Sequence, residues 1–357
     1  MPFGGLTVLL GGDFRQVLPV VPKEGREGTV AASLSKSYLW QECKVYTLLE
    51  NMRVERDVST ISVEGKVLNF KDWILNVGNG LQHAYDLDGS GDFSWIKIPE
   101  ELLVSYSGDP NKAIVDEIYM DLQERHGSID YLRERAILTP LNENVGKINR
   151  EVLGRLPGDC TVYRSSDSIC KGSCNNAADD ILYPPEFLNS LKYSGVPNHE
   201  LEMKVGVPIM LLRNLNPKKG LCNGTRLIVT RCYRILIEAL IITGNKSGEK
   251  TYIPGICMSP ADKTMPFVLK RKQFPIAVCY AMTINKSQGQ TLKNVGLYLP
   301  NPAFGHGQIY VAISRVTSPS GLRILCVNED EKYAGYTKNV VYHEIFNDIV
   351  PNNLSEP

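Results

Sequence analysis

A run of polar residues follows directly on a short apolar segment in the last quarter of the chain, and its residue types could bind a phosphate. The apolar segment is residues 276–282, and the polar run is residues 283–292, Thr-Ile-Asn-Lys-Ser-Gln-Gly-Gln-Thr-Leu. Lys286 can meet a phosphate as a point charge, Gln288 can donate or accept, and Gly289 lets backbone N–H groups approach an anion. We expect this run at the carboxyl end of a buried strand, where open α/β sheets bind ligands. The residues alone leave open a polar strand-to-helix loop without a ligand.

A glycine-rich segment near the amino terminus ends in a glutamine that could meet the same kind of ligand. Residues 11–16 read Gly-Gly-Asp-Phe-Arg-Gln and follow residues 6–10, an apolar run predicted to be a buried parallel strand. A glutamine at a strand tip can accept from an attacking water and donate to a γ-phosphate at once. Gln16 is therefore a candidate nucleotide sensor, although a Gly-Gly turn with an exposed glutamine is the favoured explanation if the segment is taken alone.

Two arginines occupy positions from which a guanidinium could reach a transferring phosphate. Arg53 closes Leu-Glu-Asn-Met-Arg at the end of a strand predicted over residues 45–49. Arg315 closes Tyr-Val-Ala-Ile-Ser-Arg on a predicted helix, where Tyr310 and Ile313 are expected to pack inward and to project Arg315 toward a cleft. An exposed arginine is usually only solvated, so both assignments depend on the other segments.

These segments resemble the motifs of one helicase family, in the order that the family has them. Residues 283–292 resemble motif V of superfamily-one helicases in the form used by Pif-type DNA helicases, with Asn285 where the wider pattern often has His. Residues 11–16, 49–53 and 305–317 resemble motifs III, IV and VI. The form looks most like the Helitron-transposon and plant branch. The resemblance implies an α/β fold: a RecA-like helicase core with an incomplete first RecA-like domain, a complete second one and a small SH3-like all-β insertion.

The resemblance also implies an activity and its partners. Pif-type helicases hydrolyse ATP with Mg²⁺ and move five-prime to three-prime on single-stranded DNA in repair, recombination or telomere maintenance. ATP, Mg²⁺ and single-stranded DNA are therefore the expected ligands, and the nucleus is the expected location. The resemblance says nothing of the oligomeric state.

The resemblance assigns roles to individual residues. The expected nucleotide contacts are Gln16, Arg53, Gln288, Gly289 and Arg315, of which Gln16, Arg53 and Arg315 are expected to be catalytic. The expected DNA contacts are Thr139, Asn142, Thr283, Lys286, Arg226, Lys270 and Arg271. A helix cap explains Asn142 equally well, and a solvated edge strand explains the basic residues between positions 215 and 274.

The family's phosphate loop, Gly-x-x-x-x-Gly-Lys-Ser/Thr, and its acidic Mg²⁺ site have no counterpart in these 357 residues. Residues 244–251 look similar, but their spacing is wrong by one residue and they join two β-rich runs, so a hairpin turn is predicted. We expect a truncated gene model, a transposon-derived remnant or a natural fragment, in which hydrolysis by this chain alone is not expected. The alternative is a non-catalytic fragment of a Helitron helicase that binds single-stranded DNA or acts in assembly.

The predicted domain boundaries follow from the same comparison with the family. Residues 1–52 are expected to be the carboxyl-terminal remnant of the first RecA-like domain, and residues 53–214 with 275–350 the second. Residues 215–274 are the expected β insertion, and residues 351–357 a tail.

The composition bears on the kind of protein but does not identify a ligand. Lys and Arg number 39 and Asp and Glu number 39, so the net charge is zero and any nucleic-acid contact must come from local patches. The nine cysteines are irregularly spaced, which favours reduced thiols; Cys160, Cys170 and Cys174 lack a second ligand pair, so no zinc site is expected. No apolar run approaches the ~20 residues that a transmembrane helix requires.

Periodicity and turn residues predict the elements that must position these groups. Helices are predicted at 33–40, 61–77, 112–125 (with Asn111 as a possible cap), 142–153 and across 305–317. Strands are predicted at 6–10, 45–49, 136–140, 204–214, 227–231, 235–243, 250–253, 267–272, 276–282, 295–299 and 322–327. Residues 158–194 are predicted to be an irregular surface excursion.

Overall fold

The computed structural model describes residues 2–21, 24–48, 60–170, 183–261, 265–327 and 330–349. The helices are α1 Arg26–Ala31, α2 Phe70–Asn79, α3 Pro110–Ile118, α4 Leu122–Arg125, α5 Ile129–Arg133, α6 Asn142–Arg155, α7 Pro185–Ser190 and α8 Gln308–Ile313. The strands are β1 Thr60–Val63, β2 Lys66–Asn69, β3 Ala84–Tyr85, β4 Trp95–Lys97, β5 Arg135–Thr139, β6 Thr161–Arg164, β7 Ser166–Ile169, β8 Glu200–Met203, β9 Pro208–Leu211, β10 Arg226–Cys232, β11 Leu236–Ile241, β12 Lys250–Pro254, β13 Ile256–Met258, β14 Leu269–Gln273, β15 Ile276–Val278, β16 Ala281–Thr283, β17 Asn294–Leu299, β18 Leu322–Cys326 and β19 Tyr336–Lys338.

The chain forms two compact units. The first contains residues 1–118, 137–145 and 282–357, and the second contains residues 119–136 and 146–281. The predicted domain boundaries remain a prediction.

A four-stranded sheet in the order β16-β5-β17-β18 forms the centre of the first unit. β17 and β18 are parallel, in a register that runs from Val295 opposite Leu322 to Leu299 opposite Cys326. Residues 295–299 are buried without interruption, as expected for a strand covered on both faces. α3 lies so close to β17 that a side chain at Gly296 would collide with Ile118. The strands predicted at 136–140, 295–299 and 322–327 are confirmed.

The helix predicted over residues 61–77 is wrong in its first half. Residues 60–69 form the antiparallel hairpin β1–β2, and only then does α2 begin. Glu64 and Gly65 join the two strands with φ values of 51° and 76°, the left-handed pair that a two-residue hairpin turn requires. The side chain of Asn69 caps α2 by accepting from the Lys71 N–H, and Gly80, with φ 69°, ends it as predicted.

Residues 6–10 are not a strand. They have no partner in any sheet formed by the described residues, and Leu6 and Leu9 are 76% and 96% exposed. A parallel strand exists only where neighbours satisfy its backbone groups, so the apolar pattern alone does not make one here. Residues 43–48 likewise contain no strand, and the helix predicted at 33–40 is replaced by the 3₁₀ turns Leu34–Lys36 and Tyr38–Glu42.

Two further predicted elements are divided in the structure. The helix predicted at 112–125 is interrupted between α3 and α4, and its first turn is capped by Asp109, whose Oδ1 accepts from the Asn111 N–H at 2.9 Å, rather than by Asn111. The apolar run 276–282 gives two short strands, β15 and β16, which belong to different sheets. The helix predicted at 142–153 is confirmed as α6.

The second unit is rich in antiparallel strands, which confirms the predicted β texture of residues 215–274. Five strands form a sheet in the order β12-β11-β10-β9-β15, and β13-β14-β7 and β6-β8 form two smaller sheets. Gly244 and Gly248, with φ values of 78° and 94°, lie in the turn between β11 and β12, so the predicted hairpin turn is confirmed. The excursion predicted at 158–194 contains β6, β7 and α7, while residues 171–182 lie outside the described residues. Within the described parts of the chain, no helix is long and apolar enough to cross a bilayer.

Candidate functional site

The polar run after β16 forms a turn whose apolar side faces the protein. Residues 284–287 make one 3₁₀ turn, in which Ile284 and Ser287 are fully buried and the Ser287 hydroxyl donates to the Ile284 carbonyl at 2.7 Å. Gly289 has a φ of 79°, a conformation that favours glycine. Because the buried residues fix the turn, Asn285 and Lys286 between them and Gln288 after them are exposed to solvent. The sequence prediction of a polar loop following a strand is confirmed.

Gln16 meets this loop across a large separation in the chain. The Nε2 of Gln288 donates to the Oε1 of Gln16 at 2.9 Å, and the two residues are 272 positions apart. Each amide has a further donor or acceptor beyond this bond, so the pair can still hydrogen-bond a ligand. The structure therefore brings together two of the predicted nucleotide contacts.

A carboxylate hydrogen-bonded by two residues holds the Gln16 segment against α8. The Tyr310 hydroxyl donates to Asp13 Oδ2 at 2.7 Å, and Arg15 Nε donates to Asp13 Oδ1 at 2.8 Å. Burial by itself raises the pKa of Asp13, but the hydrogen bonds from Arg15 and Tyr310 outweigh it and lower the pKa below its ordinary value. Burial next to Asp13 raises the pKa of Tyr310, so its hydroxyl remains a donor. Asp13 is a site residue for which the sequence predicted no role.

Gly307 permits the close approach of the two segments. Its φ is 71°, and a Cβ there would collide with the Arg15 carbonyl oxygen and lie 2.8 Å from the Gln16 carbonyl carbon. His306, the preceding residue, is 2% exposed and lies within 2.8 Å of the Phe14 carbonyl oxygen. The Gly-His-Gly sequence before α8 was the available signal for this contact, because glycine is needed where two backbones touch.

The sequence predicted that Arg315 projects toward a cleft as an arginine finger, and the structure buries it. Tyr310 and Ile313 do pack inward, but the Arg315 side chain is itself 1% exposed. Its Nε donates to the Val311 carbonyl at 2.8 Å and its Nη1 to the Gln290 carbonyl at 3.3 Å. α8 ends at Ile313, and the guanidinium folds back onto the Val311 carbonyl in the last turn of the helix. In this conformation Arg315 holds the end of the polar loop through the Gln290 carbonyl, and its role as an arginine finger stays a prediction. Arg53 lies outside the described residues.

Of the four predicted DNA contacts in the first unit, two are exposed. Asn142 is the first residue of α6, and Lys286 lies in the polar loop. They follow β5 and β16 respectively, which are neighbours in the sheet. Thr139 is fully buried with no hydrogen-bond partner for its hydroxyl, and Thr283 is 8% exposed. The prediction that Thr139 contacts the DNA backbone is therefore wrong for this conformation, because no phosphate can reach its hydroxyl.

Two of the three arginine and lysine contacts predicted in the second unit are structural. Arg226 is fully buried and donates to the carbonyls of Leu132, Arg133 and Arg135 at 3.0–3.2 Å. Arg271 is also fully buried and paired with Asp167 at 2.6 Å. A DNA phosphate cannot reach a guanidinium group that is fully buried. The DNA contacts predicted for both arginines are therefore wrong for this conformation. Lys270 is exposed.

The described residues contain no group of three or more His, Cys, Asp or Glu side chains that could hold a metal ion. The described residues therefore contain no all-protein cage for a metal ion, whereas Mg²⁺ is usually held by one or two carboxylates together with substrate phosphates and waters.

The sequence of this chain is similar to proteins of one family. Residues 1–87 match the profile of the PIF1-like helicases, and residues 186–232 match that of the DNA helicase Pif1 2B domain. The ATP-dependent DNA helicase PIF1 of Homo sapiens is 27% identical over 333 residues, and that of Danio rerio is 26% identical over 335. Each alignment covers 91% of this chain and 41% of the relative. The chain therefore spans about two-fifths of the length of these curated relatives, which are enzymes named for ATP-dependent DNA unwinding.

Solved structures agree on the fold. The Pif1 helicase of Candida albicans has a TM-score of 0.58 at 21% identity, covering 97% of this chain and 68% of the other. Bacteroides Pif1 bound to single-stranded DNA has a TM-score of 0.56 at 19% identity, covering 94% of this chain and 70% of the other. The predicted RecA-like α/β fold is confirmed, while the SH3-like character of the insertion stays a prediction.

Proposed function

We propose that this chain, which is related in sequence and fold to Pif1-like helicases, supplies the phosphate-facing loop and a DNA-contacting sheet edge of an ATP-dependent DNA helicase. The observation that carries the proposal is the hydrogen bond between Gln16 and Gln288. Two amides at one point can bind an attacking water and a γ-phosphate oxygen together, because each amide has both a donor and an acceptor. Gly289, exposed beside them, lets the backbone approach the same phosphate.

We assign the DNA contact to the exposed polar residues that follow β5 and β16. Lys286 provides a point charge for a backbone phosphate, and Asn142 provides an amide that can donate to it. Lys270 is an exposed basic residue of the second unit and is proposed as a separate contact. Thr283 is assigned no DNA contact, because only 8% of it is exposed.

The finer features of the activity are proposed from the family resemblance. We propose ATP and Mg²⁺ as ligands, single-stranded DNA as the track and movement from five-prime to three-prime. A role in repair, recombination or telomere maintenance, a nuclear location and membership of the Helitron-like branch are proposed on the same basis. Bacteroides Pif1 structures with single-stranded DNA and with ADP-AlF3 support the choice of ligands.

Replacing Lys286 with alanine is expected to weaken single-stranded DNA binding about fivefold to tenfold at moderate salt. One phosphate contact is lost, so the slope of log affinity against log salt should fall in magnitude by about 0.7. Fluorescence anisotropy of a labelled oligothymidine at several salt concentrations measures both quantities. Lys66→Ala is the matched control, because Lys66 is an exposed lysine on the β1–β2 hairpin of the same unit. Equal losses in the two variants would contradict the assignment of Lys286.

A second candidate function is binding of single-stranded DNA without turnover. It is favoured by Arg315, whose guanidinium is occupied by carbonyls of its own chain rather than presented to a phosphate. Measuring ATP hydrolysis by the purified chain, with and without oligothymidine, separates the two. Hydrolysis stimulated by DNA supports the helicase proposal; DNA binding that depends on Lys286 without hydrolysis supports the second candidate. A chain that neither binds single-stranded DNA nor hydrolyses ATP would overturn both.

A further inference from the structure

His306 hydrogen-bonds two separate backbone segments of the first unit. One ring nitrogen, Nε2, lies 2.8 Å from the Phe14 carbonyl oxygen, and the other, Nδ1, accepts from the Tyr342 N–H at 2.8 Å. A backbone carbonyl can only accept and a backbone N–H can only donate. The ring must therefore be neutral, with its proton on Nε2.

The Phe14 carbonyl that His306 holds lies two residues before Gln16. The Gln16 N–H donates to the Asp13 carbonyl at 3.1 Å, so residues 13–16 form one closed turn. The Phe14 ring meets the Trp40 ring edge-on at 5.4 Å. Fixing the Phe14 carbonyl therefore fixes the direction in which Gln16 leaves the turn.

We propose that His306 is a positioning residue for Gln16, and that it acts only as the neutral, Nε2-protonated ring. In this form it anchors the Gln16 turn to the start of α8 and to the segment around Tyr342. The role of Gln16 toward a nucleotide rests on the proposed function, whereas the anchoring itself does not.

Protonation would break the anchor at one end. A second proton on Nδ1 would face the Tyr342 N–H, so two donors would point at each other and the bond would be lost. Burial of the ring lowers the pKa of His306 from its ordinary value of 6.5, which favours the neutral form. Since the unfolded chain then takes up the proton more readily, the stabilisation from His306 is fully present above about pH 6.5 and is lost as the pH falls below it.

Several other charged or titratable groups lie near the His306 ring. An experiment must distinguish their titration from that of His306. The Gln16 turn brings Asp13 and Arg15, α8 brings Tyr310, the carboxyl-terminal segment brings Tyr342, His343 and Glu344, and α1 brings Arg26, which is paired with Glu344 at 2.7 Å. Substituting His306 alone removes its own titration and leaves all of these in place.

Two substitutions distinguish the two ends of the anchor. The amide nitrogen of glutamine reaches the place of Nε2, so His306→Gln retains the donor to the Phe14 carbonyl. The shorter asparagine reaches only the place of Nδ1, so His306→Asn retains an acceptor for the Tyr342 N–H and loses the bond to Phe14. If His306 only filled space, the position of the Gln16 turn would not depend on which of the two hydrogen bonds a variant retains.

The test is ¹⁹F NMR of the full chain labelled with 5-fluorotryptophan, with Trp40→Phe used to assign the Trp40 resonance. The chain has three tryptophans, and Trp73 and Trp95 report whether a variant is folded. In the wild type, the Trp40 resonance should shift as the pH falls through the lowered pKa of His306, which lies below 6.5. His306→Gln should keep the neutral-pH position of Trp40 and lose this titration, while His306→Asn should displace Trp40 at every pH.

The proposal is overturned if folded His306→Asn leaves the Trp40 resonance at its wild-type position, or if the low-pH shift of Trp40 persists in His306→Gln. The anisotropy assay on the same samples distinguishes this result from failure of the proposed function. If the wild-type chain does not bind single-stranded DNA, the proposed function is contradicted. The Trp40 resonance still decides the role of His306 in that case.

Discussion

Replacing Arg271 with methionine should lower the free energy of unfolding of the second unit by about 3–5 kcal/mol. Both side chains of the Arg271–Asp167 pair are completely buried. Arg271 also donates to the carbonyls of Leu188, Leu191 and Pro197, so every N–H of the guanidinium has an acceptor. Methionine fills the space but leaves a buried carboxylate and three carbonyls without this partner, which is the costly way to break a buried pair.

The measurement must report on the second unit alone. All three tryptophans lie in the first unit, so hydrogen exchange of peptides covering β7 and β14 is the suitable probe. Lys270→Ala is the matched control, since it changes the exposed neighbour on the same strand and should alter stability by no more than about 0.5 kcal/mol. Adding Asp167→Leu to Arg271→Met should recover part of the loss. A single variant as stable as the control would contradict the structural role assigned to Arg271.

Gly307→Ala should release residues 13–16 from α8, at a cost of about 2–5 kcal/mol in the first unit. An alanine at φ 71° carries the left-handed penalty of about 1–2 kcal/mol, and its Cβ would in addition collide with the backbone of Arg15 and Gln16. Backbone cannot rotate away as a side-chain tip can, so the Gln16 turn must move. We expect faster hydrogen exchange at residues 13–16 and loss of the Gln16–Gln288 contact.

Gly89→Ala separates the cost of the left-handed backbone conformation from the cost of the collision with the Gln16 turn. Gly89 has a φ of 70°, and a Cβ there meets nothing within 4 Å, so only the left-handed penalty applies. Its exchange at residues 13–16 should match that of the wild type. If Gly89→Ala and Gly307→Ala were equally destabilising, the close docking of the Gln16 turn on α8 would be refuted.

The α/β fold class and the strands of the polar-loop sheet could be predicted from sequence because buried runs and turn residues fix them locally. The hairpin before α2 was missed because Val67 and Leu68 also fit a helical period, although Glu64-Gly65 was a turn signal. Residues 6–10 have the right composition for a strand, yet pairing decides whether a strand exists, and pairing cannot be read from the segment itself.

The site residues were harder to predict because exposure is not a property of residue type. β14 alternates buried and exposed residues, so in Lys-Arg-Lys only the middle residue can point inward. Period-two reasoning could therefore have identified Arg271 as buried. For Arg315 the deciding fact was where α8 ends, and helix ends are placed least reliably from sequence. The contact between Gln16 and Gln288 came instead from the family resemblance, because nothing local joins residues so far apart in the chain.

Hydrogen exchange with a non-hydrolysable ATP analogue and oligothymidine present tests the central claim most directly. If Gln16 and Gln288 face the same phosphate, peptides covering residues 13–16 and 284–290 should become protected together, and Gln288→Ala should reduce the protection of both. Protection of neither segment, or of only one of them, at ligand concentrations that saturate the chain would contradict the claim that these two distant segments form one nucleotide site.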